Sequence, residues 1–126
     1  MPTPERSDLP QLRLHIPTPP SANNLFTNSA TGRSFGRGKS KQYRDWLRDA
    51  GWEAKLQSGH AHFARPVAIL IEIDLRRQRD MDNAIKPTLD LLVYIGILAD
   101  DSLVDDLRIV RRGDKTRAAI SIWLMP

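Results

Sequence analysis

Between Pro66 and Leu75 the chain alternates without a break. Val67, Ile69, Ile71, Ile73 and Leu75 fall on one side, Ala68, Leu70, Glu72 and Asp74 on the other. Successive side chains in extended backbone point to opposite faces, so this is a β-strand with one wholly apolar face. Its second face begins apolar and ends acidic. The strand runs directly into Arg76-Arg77-Gln78-Arg79-Asp80-Met81-Asp82-Asn83-Ala84-Ile85-Lys86. A fold built on this strand must therefore deliver a dense mixture of charges from its end. If the extended conformation persists, Asp80 and Asp82 share the parity of Glu72 and Asp74 and point to one side.

The segment from Asn83 to Ile95 turns helical, with Ile85, Leu89, Leu92 and Val93 at i, i+4, i+7 and i+8. Asp82 or Asn83 is its expected N-cap. Pro87 belongs in a first turn, which sets the helix start close behind the aspartates. Gly96 ends the helix, and Ile97-Leu98-Ala99 leads into Asp100-Asp101.

The remaining elements are shorter. Gln11 to Ile16 alternates as a half-buried strand and stops at Pro17-Thr18-Pro19-Pro20. Ser21 to Gly38 reads as a long loop, with Asn23 and Asn24 near its start and Arg33, Arg37, Lys39 and Lys41 making its far end basic. Phe26 and Phe35 are interleaved there; Phe26 as an anchor to the core and Phe35 as a surface residue outweigh stacking on a base. From Lys39 to Ser58, Tyr43, Trp46, Leu47, Ala50, Ala54 and Leu56 form a helical stripe that reads as core. His60 and His62 lie in a connection without a third metal ligand near them. Val104–Arg112 and Thr116–Leu124 have a hairpin pattern around Gly113-Asp114-Lys115, with Leu107, Ile109, Ala118, Ile120, Ile122 and Leu124 toward the core. The expected fold is α/β (α+β): a small mixed sheet of about four strands, two helices and a C-terminal β-hairpin. Residues 1–126 read as one domain, with 1–9 as a mobile tail.

The charge narrows the function. The chain carries a net +4, and fourteen of its nineteen cations are arginine, the better phosphate fork. Nine of its twelve aspartates fall between Asp74 and Asp114. It has no cysteine, which excludes disulfides and thiolate metal sites and favours a reducing, cytoplasmic setting. Its start lacks a signal-peptide pattern, and the longest apolar run, Leu91 to Ala99, is far too short to span a bilayer.

Hard divalent cations such as magnesium prefer a few carboxylates plus water. Asp80, Asp82 and one of Asp100 or Asp101 can supply that set if the helix folds back on the sheet. A bound cation neutralises a phosphodiester's charge and lowers the pKa of a coordinated water. Lys86 is placed to stabilise charge in the transition state, and Arg76, Arg77 and Arg79 can hold flanking phosphates as charge-assisted forks. Read structurally instead, Asp82 caps a helix, Asp100-Asp101 is a solvated turn, and the arginines are a solvated edge.

Asp80-Met81-Asp82-Asn83-Ala84-Ile85-Lys86, with Leu89-Asp90 behind it and Asp100-Asp101 after the helix, resembles the D-x-D-N-x-x-K…LDAL…DD pattern of RusA-type Holliday junction resolvases. Ile16-Pro17-Thr18-Pro19-Pro20-Ser21-Ala22-Asn23-Asn24 resembles that family's P-x-P-P-S-x-N segment, and the element order is similar from Leu12 to Leu124. Leu91-Leu92 departs from the family's usual Ala-Leu without touching the acids. The resemblance implies a homodimer that cleaves four-way DNA junctions by paired nicks and depends on Mg2+, with Mn2+ able to substitute. It implies no small-molecule cofactor. Asp80, Asp82 and Asp101 would be the metal-binding catalytic acids and Lys86 the essential basic residue; Asp100 is the neighbour of Asp101, with a less defined role. The competing expectations are a nuclease for flaps or forks, a non-catalytic DNA-binding module, and a structural domain that is basic by accident.

Overall fold

The computed structural model describes residues 8–20, 26–28, 37–75, 78–113 and 116–126; at 26–28, 37–38 and 78–80 only the backbone is described. Four strands form the main sheet: β1 (Leu12–Pro17), β4 (Val67–Ile73), β5 (Val104–Arg111) and β6 (Arg117–Leu124), in the order β1-β6-β4-β5. β4 pairs antiparallel with β6 and parallel with β5. A parallel neighbour needs a long crossover, and the helix α2 (Gln78–Tyr94) supplies it. Both C-terminal strands form as expected. They lie either side of β4 rather than against each other, so the chain passes the end of β4 around Gly113. There the Arg112 N–H donates to the Ile73 carbonyl at 3.1 Å.

The expected loop from Ser21 to Gly38 contains a small second sheet. β2 (Phe26–Asn28) pairs antiparallel with β3 (Arg37–Lys39). The helix α1 (Lys41–Ser58) follows, capped by Ser40, whose Oγ accepts from the Tyr43 N–H at 3.1 Å. Its stripe of Tyr43, Trp46, Leu47, Ala50 and Ala54 is buried. Leu56, expected in that stripe, is 69% exposed instead; a helix has 3.6 residues per turn, and position 56 has drifted off the buried face. One face of the sheet, through Leu14, Ile16, Ile69, Ile71, Ile73, Ile120 and Ile122, joins both helices in a single core. Leu107, expected to face that core, is also exposed, because β5 is the outer strand with a neighbour on one side only.

α2 corrects the sequence reading most. It begins at Gln78, not at Asn83, and Pro87 lies inside it. Asp80 and Asp82 therefore sit on helical backbone. Residues two apart on a helix are turned roughly 200° from each other, so strand parity does not bring them to one side. Proline is tolerated here because packing outweighs its cost. Ala84, Pro87, Thr88, Leu91 and Leu92 are all buried. Pro87 has no N–H for the Asn83 carbonyl, while Thr88 Oγ1 donates back to the Ala84 carbonyl at 2.8 Å.

Candidate active site

The acids and the lysine are distributed along α2 and just beyond it. Asp82, Lys86 and Asp90 are spaced by four, so they form a row up one flank of the helix. Lys86 Nζ lies 3.3 Å from Asp90 Oδ2. The Tyr43 phenol, from α1, donates to that same oxygen at 2.9 Å.

The return of the chain after α2 is fixed by its backbone. Gly96 adopts φ +83°, a left-handed conformation that suits glycine. Ile97 and Leu98 are buried, and Phe63 pairs with this segment through Phe63 N–H to Ile97 O at 2.7 Å and Ala99 N–H to Phe63 O at 2.9 Å. His62, read as part of a connection, contributes to the same clasp through Nδ1, 2.7 Å from the Gly96 carbonyl oxygen. Asp100 and Asp101 are thereby held at the C-terminal end of α2. Asp100 caps a 3-10 turn, Asp101–Leu103, by accepting from the Ser102 N–H at 3.0 Å. Hydrogen bonding from Ser102 holds the Asp100 carboxyl below the usual carboxylate range.

A cavity of about 310 Å³ is lined by Lys39, Tyr43, Asp90, Asp100 and Asp101, among others. The fold thus gathers Asp90, Asp100 and Asp101 around one space, with Lys86 bound to the first of them. Asp82 does not line it. Among the described residues no three acidic or histidine side chains form a group able to hold a metal ion. The side chains of Arg79 and Asp80 lie outside the described residues, as do Arg76, Arg77, Arg33, Asn23 and Asn24; Arg37 is described only as backbone in β3. Lys39 is exposed, and Lys41 is exposed with its ammonium 2.7 Å from Asp45 Oδ2.

By residue type, rather than by a gathered ligand set among the described residues, the acids suit a hard cation. Several acids of the described residues have a cationic partner: Asp45 has Lys41, Asp49 has Arg48, Glu53 has Arg117, Glu72 has Arg13 and Arg112, Asp74 has Arg111, Asp90 has Lys86. Asp82 and Asp101, like Asp100 and Asp105, are exposed and carry no ion pair among the described residues. Unpaired, solvent-facing carboxylates are the oxygen ligands that magnesium takes. Two residues of this region escaped the sequence reading. Tyr43 passed as core, and Asp90 passed as part of a motif without a task. The spacing of four from Lys86 to Asp90 was the available signal.

Comparison with known proteins decides the family. The family model for endodeoxyribonuclease RusA matches residues 17–123. The chain belongs to the RusA family. It is 37% identical over 98 residues to the crossover junction endodeoxyribonuclease RusA of Escherichia coli strain K12, covering 76% of this chain and 78% of that protein. The RusA protein of Shigella sonnei is equally similar over the same share of each chain. That of Enterobacteria phage 82 is 36% identical over 98 residues, again 76% of this chain and 78% of the relative. The matched span contains the whole acidic motif, α2 and the Asp100-Asp101 pair.

Proposed function

We propose that this protein is a Mg2+-dependent, structure-specific endodeoxyribonuclease that resolves Holliday junctions by paired symmetric nicks during DNA recombination and repair. The observation that carries this reading is the family match from residue 17 to 123, which takes in Asp80, Asp82, Lys86 and Asp101 in their motif order. In this reading residues 1–126 act as one endonuclease domain in the cytoplasm. Among the described residues no helix is long and apolar enough to cross a membrane.

Asp80, Asp82 and Asp101 would hold the magnesium, which when bound neutralises phosphate charge and supplies a water of lowered pKa; manganese would substitute. Lys86 stabilises the negative charge that builds on the scissile phosphate. Arg76, Arg77 and Arg79 hold flanking phosphates, and Arg33, Arg37, Lys39 and Lys41 extend the basic track. Asn23 and Asn24 bond either the protein backbone or phosphate. A homodimer gives the chemistry its symmetry, because two sites related by a two-fold axis can nick two opposed strands.

The test is cleavage of a four-way junction, with duplex and flap DNA as competitors, read on denaturing gels with and without Mg2+. Wild-type protein is expected to nick the junction in opposed strands only with the cation. Asp82→Asn is expected to abolish cleavage and keep junction binding, since it removes a negative charge near phosphate. An Asp82→Asn protein that cuts at the wild-type rate sinks the assignment of the acids. Preference for flaps over the junction shifts the substrate instead.

A further inference from the structure

A lysine that must act at one point needs something to hold it, because its four-carbon stem is flexible and its ammonium is strongly hydrated. Lys86 is 58% exposed along its side chain and has one anionic partner among the described residues, Asp90. Helix stability does not account for that pair. A basic residue one turn N-terminal to an acid is the weaker order, and an acid near the end of α2 opposes the helix dipole. What fixes Asp90 is the other helix, α1. Tyr43 is fully buried, and its phenol donates to the oxygen that Lys86 contacts. Burial first, then the hydrogen bond to Asp90 and its charge, push the Tyr43 phenol well above its ordinary value, so it remains a donor.

Tyr43 is itself held in place. Its N–H is capped by Ser40, and its ring stacks against Trp46 with centroids 6.3 Å apart. The Trp46 indole N–H donates to the Pro17 carbonyl at 2.9 Å, at the end of β1. A rigid chain of contacts therefore runs from the sheet through α1 to one carboxylate oxygen of α2. Asp90 also lines the cavity that contains Asp101.

We propose that Asp90, anchored by Tyr43, is a positioning residue that sets the Lys86 ammonium for the cleavage reaction. This rests on the reading of Lys86 as the charge-stabilising residue. The two variants divide the device cleanly. Asp90→Asn keeps an acceptor for Tyr43 and the same shape but loses the charge that holds Lys86. Tyr43→Phe leaves the carboxylate and frees its rotamer.

The experiment measures single-turnover cleavage of a preformed protein–junction complex started with Mg2+, for wild type, Lys86→Ala, Asp90→Asn and Tyr43→Phe, alongside junction affinity without cation. Misplacing a reacting group costs up to a hundredfold in rate, so Asp90→Asn is expected to slow the rate constant about tenfold and Tyr43→Phe about threefold. Reaction amplitude and junction affinity should stay within about twofold of wild type, the range expected when the lost contact is internal to the protein and touches no phosphate. If Lys86→Ala is slow and Asp90→Asn cuts like wild type, the positioning role is wrong while the role of Lys86 stands. A loss of amplitude with an unchanged rate constant marks a purely structural role and overturns the proposal. If Lys86→Ala cuts like wild type, both readings fall together.

Discussion

Gly51 of α1 faces the end of α2. A Cβ placed there would stand 3.1 Å from Ile95 Cγ2 and 3.7 Å from Leu91 Cδ1. Ordinary carbon contacts lie at roughly 3.5–4.0 Å, so only the first is too close. Ile95 is half-buried and just past the helix, and it can yield. Leu91 is fully buried and cannot. Alanine gains about 1 kcal/mol of helix propensity over glycine and spends much of it displacing Ile95, so Gly51→Ala should be near neutral. Valine adds two methyl groups in what is nearly a single helical rotamer, so it cannot turn both away from Ile95 and Leu91. Overpacking of this kind costs about 1–3 kcal/mol. At about 3–5 °C per kcal/mol for a chain of this size, Gly51→Val should melt about 3–15 °C below wild type. Propensity alone ranks valine above glycine in a helix and gives the opposite sign. Thermal unfolding of the three proteins by circular dichroism separates the two, and a Gly51→Val melting point at or above wild type refutes the packing account.

Glu72 sits on β4 between Arg13, at 2.9 Å, and Arg112, at 2.5 Å. Burial acts to raise its pKa, but the hydrogen bonds from both arginines win and hold it below its ordinary value. A carboxylate depressed in the fold stabilises above its unfolded pKa, about 4.3, and loses that contribution as pH falls through the folded value. Glu72→Gln should therefore cost about 1–2 kcal/mol at pH 7, discounted because both arginines are largely exposed, and the gap in melting temperature should close toward pH 3; an equal gap at both pH values contradicts this. Ser40→Ala removes the cap of α1 and should cost about 1 kcal/mol in urea unfolding. Ser40→Asp should recover it, and if it does not, the cap is not the source of the loss.

Much of the sheet was legible because β4 alternates strictly, and the stripe of α1 was legible because Tyr43, Trp46, Leu47, Ala50 and Ala54 recur at helical spacing. Pairing was not. Nothing in the sequence of β5 and β6 says that β4 will enter between them, since that is settled by which strand has two apolar neighbours to gain. The edge position of β5 then exposes Leu107, whose pattern alone reads as core. The acids and Lys86 were legible as residue types in an order. Their partners were not, because Tyr43 reaches Asp90 across 47 positions of sequence.

The start of α2 shows how one local rule can hide a site. Proline does belong in first turns, and that rule placed the helix behind the aspartates. The buried set Ala84, Thr88, Leu91 and Leu92 runs through Pro87 at i, i+4, i+7 and i+8, so its packing decides, and the helix extends back to Gln78. That changes which residues are neighbours. In extended chain Asp82 would stand with Asp80. On the helix it stands one turn below Lys86, and Lys86 one turn below Asp90, which Tyr43 holds beside the Asp100-Asp101 cavity. The spacing of four in Asp82, Lys86 and Asp90 is thus a helical spacing. It sets Lys86 one turn from the exposed Asp82 and one turn from the Asp90 that Tyr43 anchors, with its ion pair on the Asp90 side.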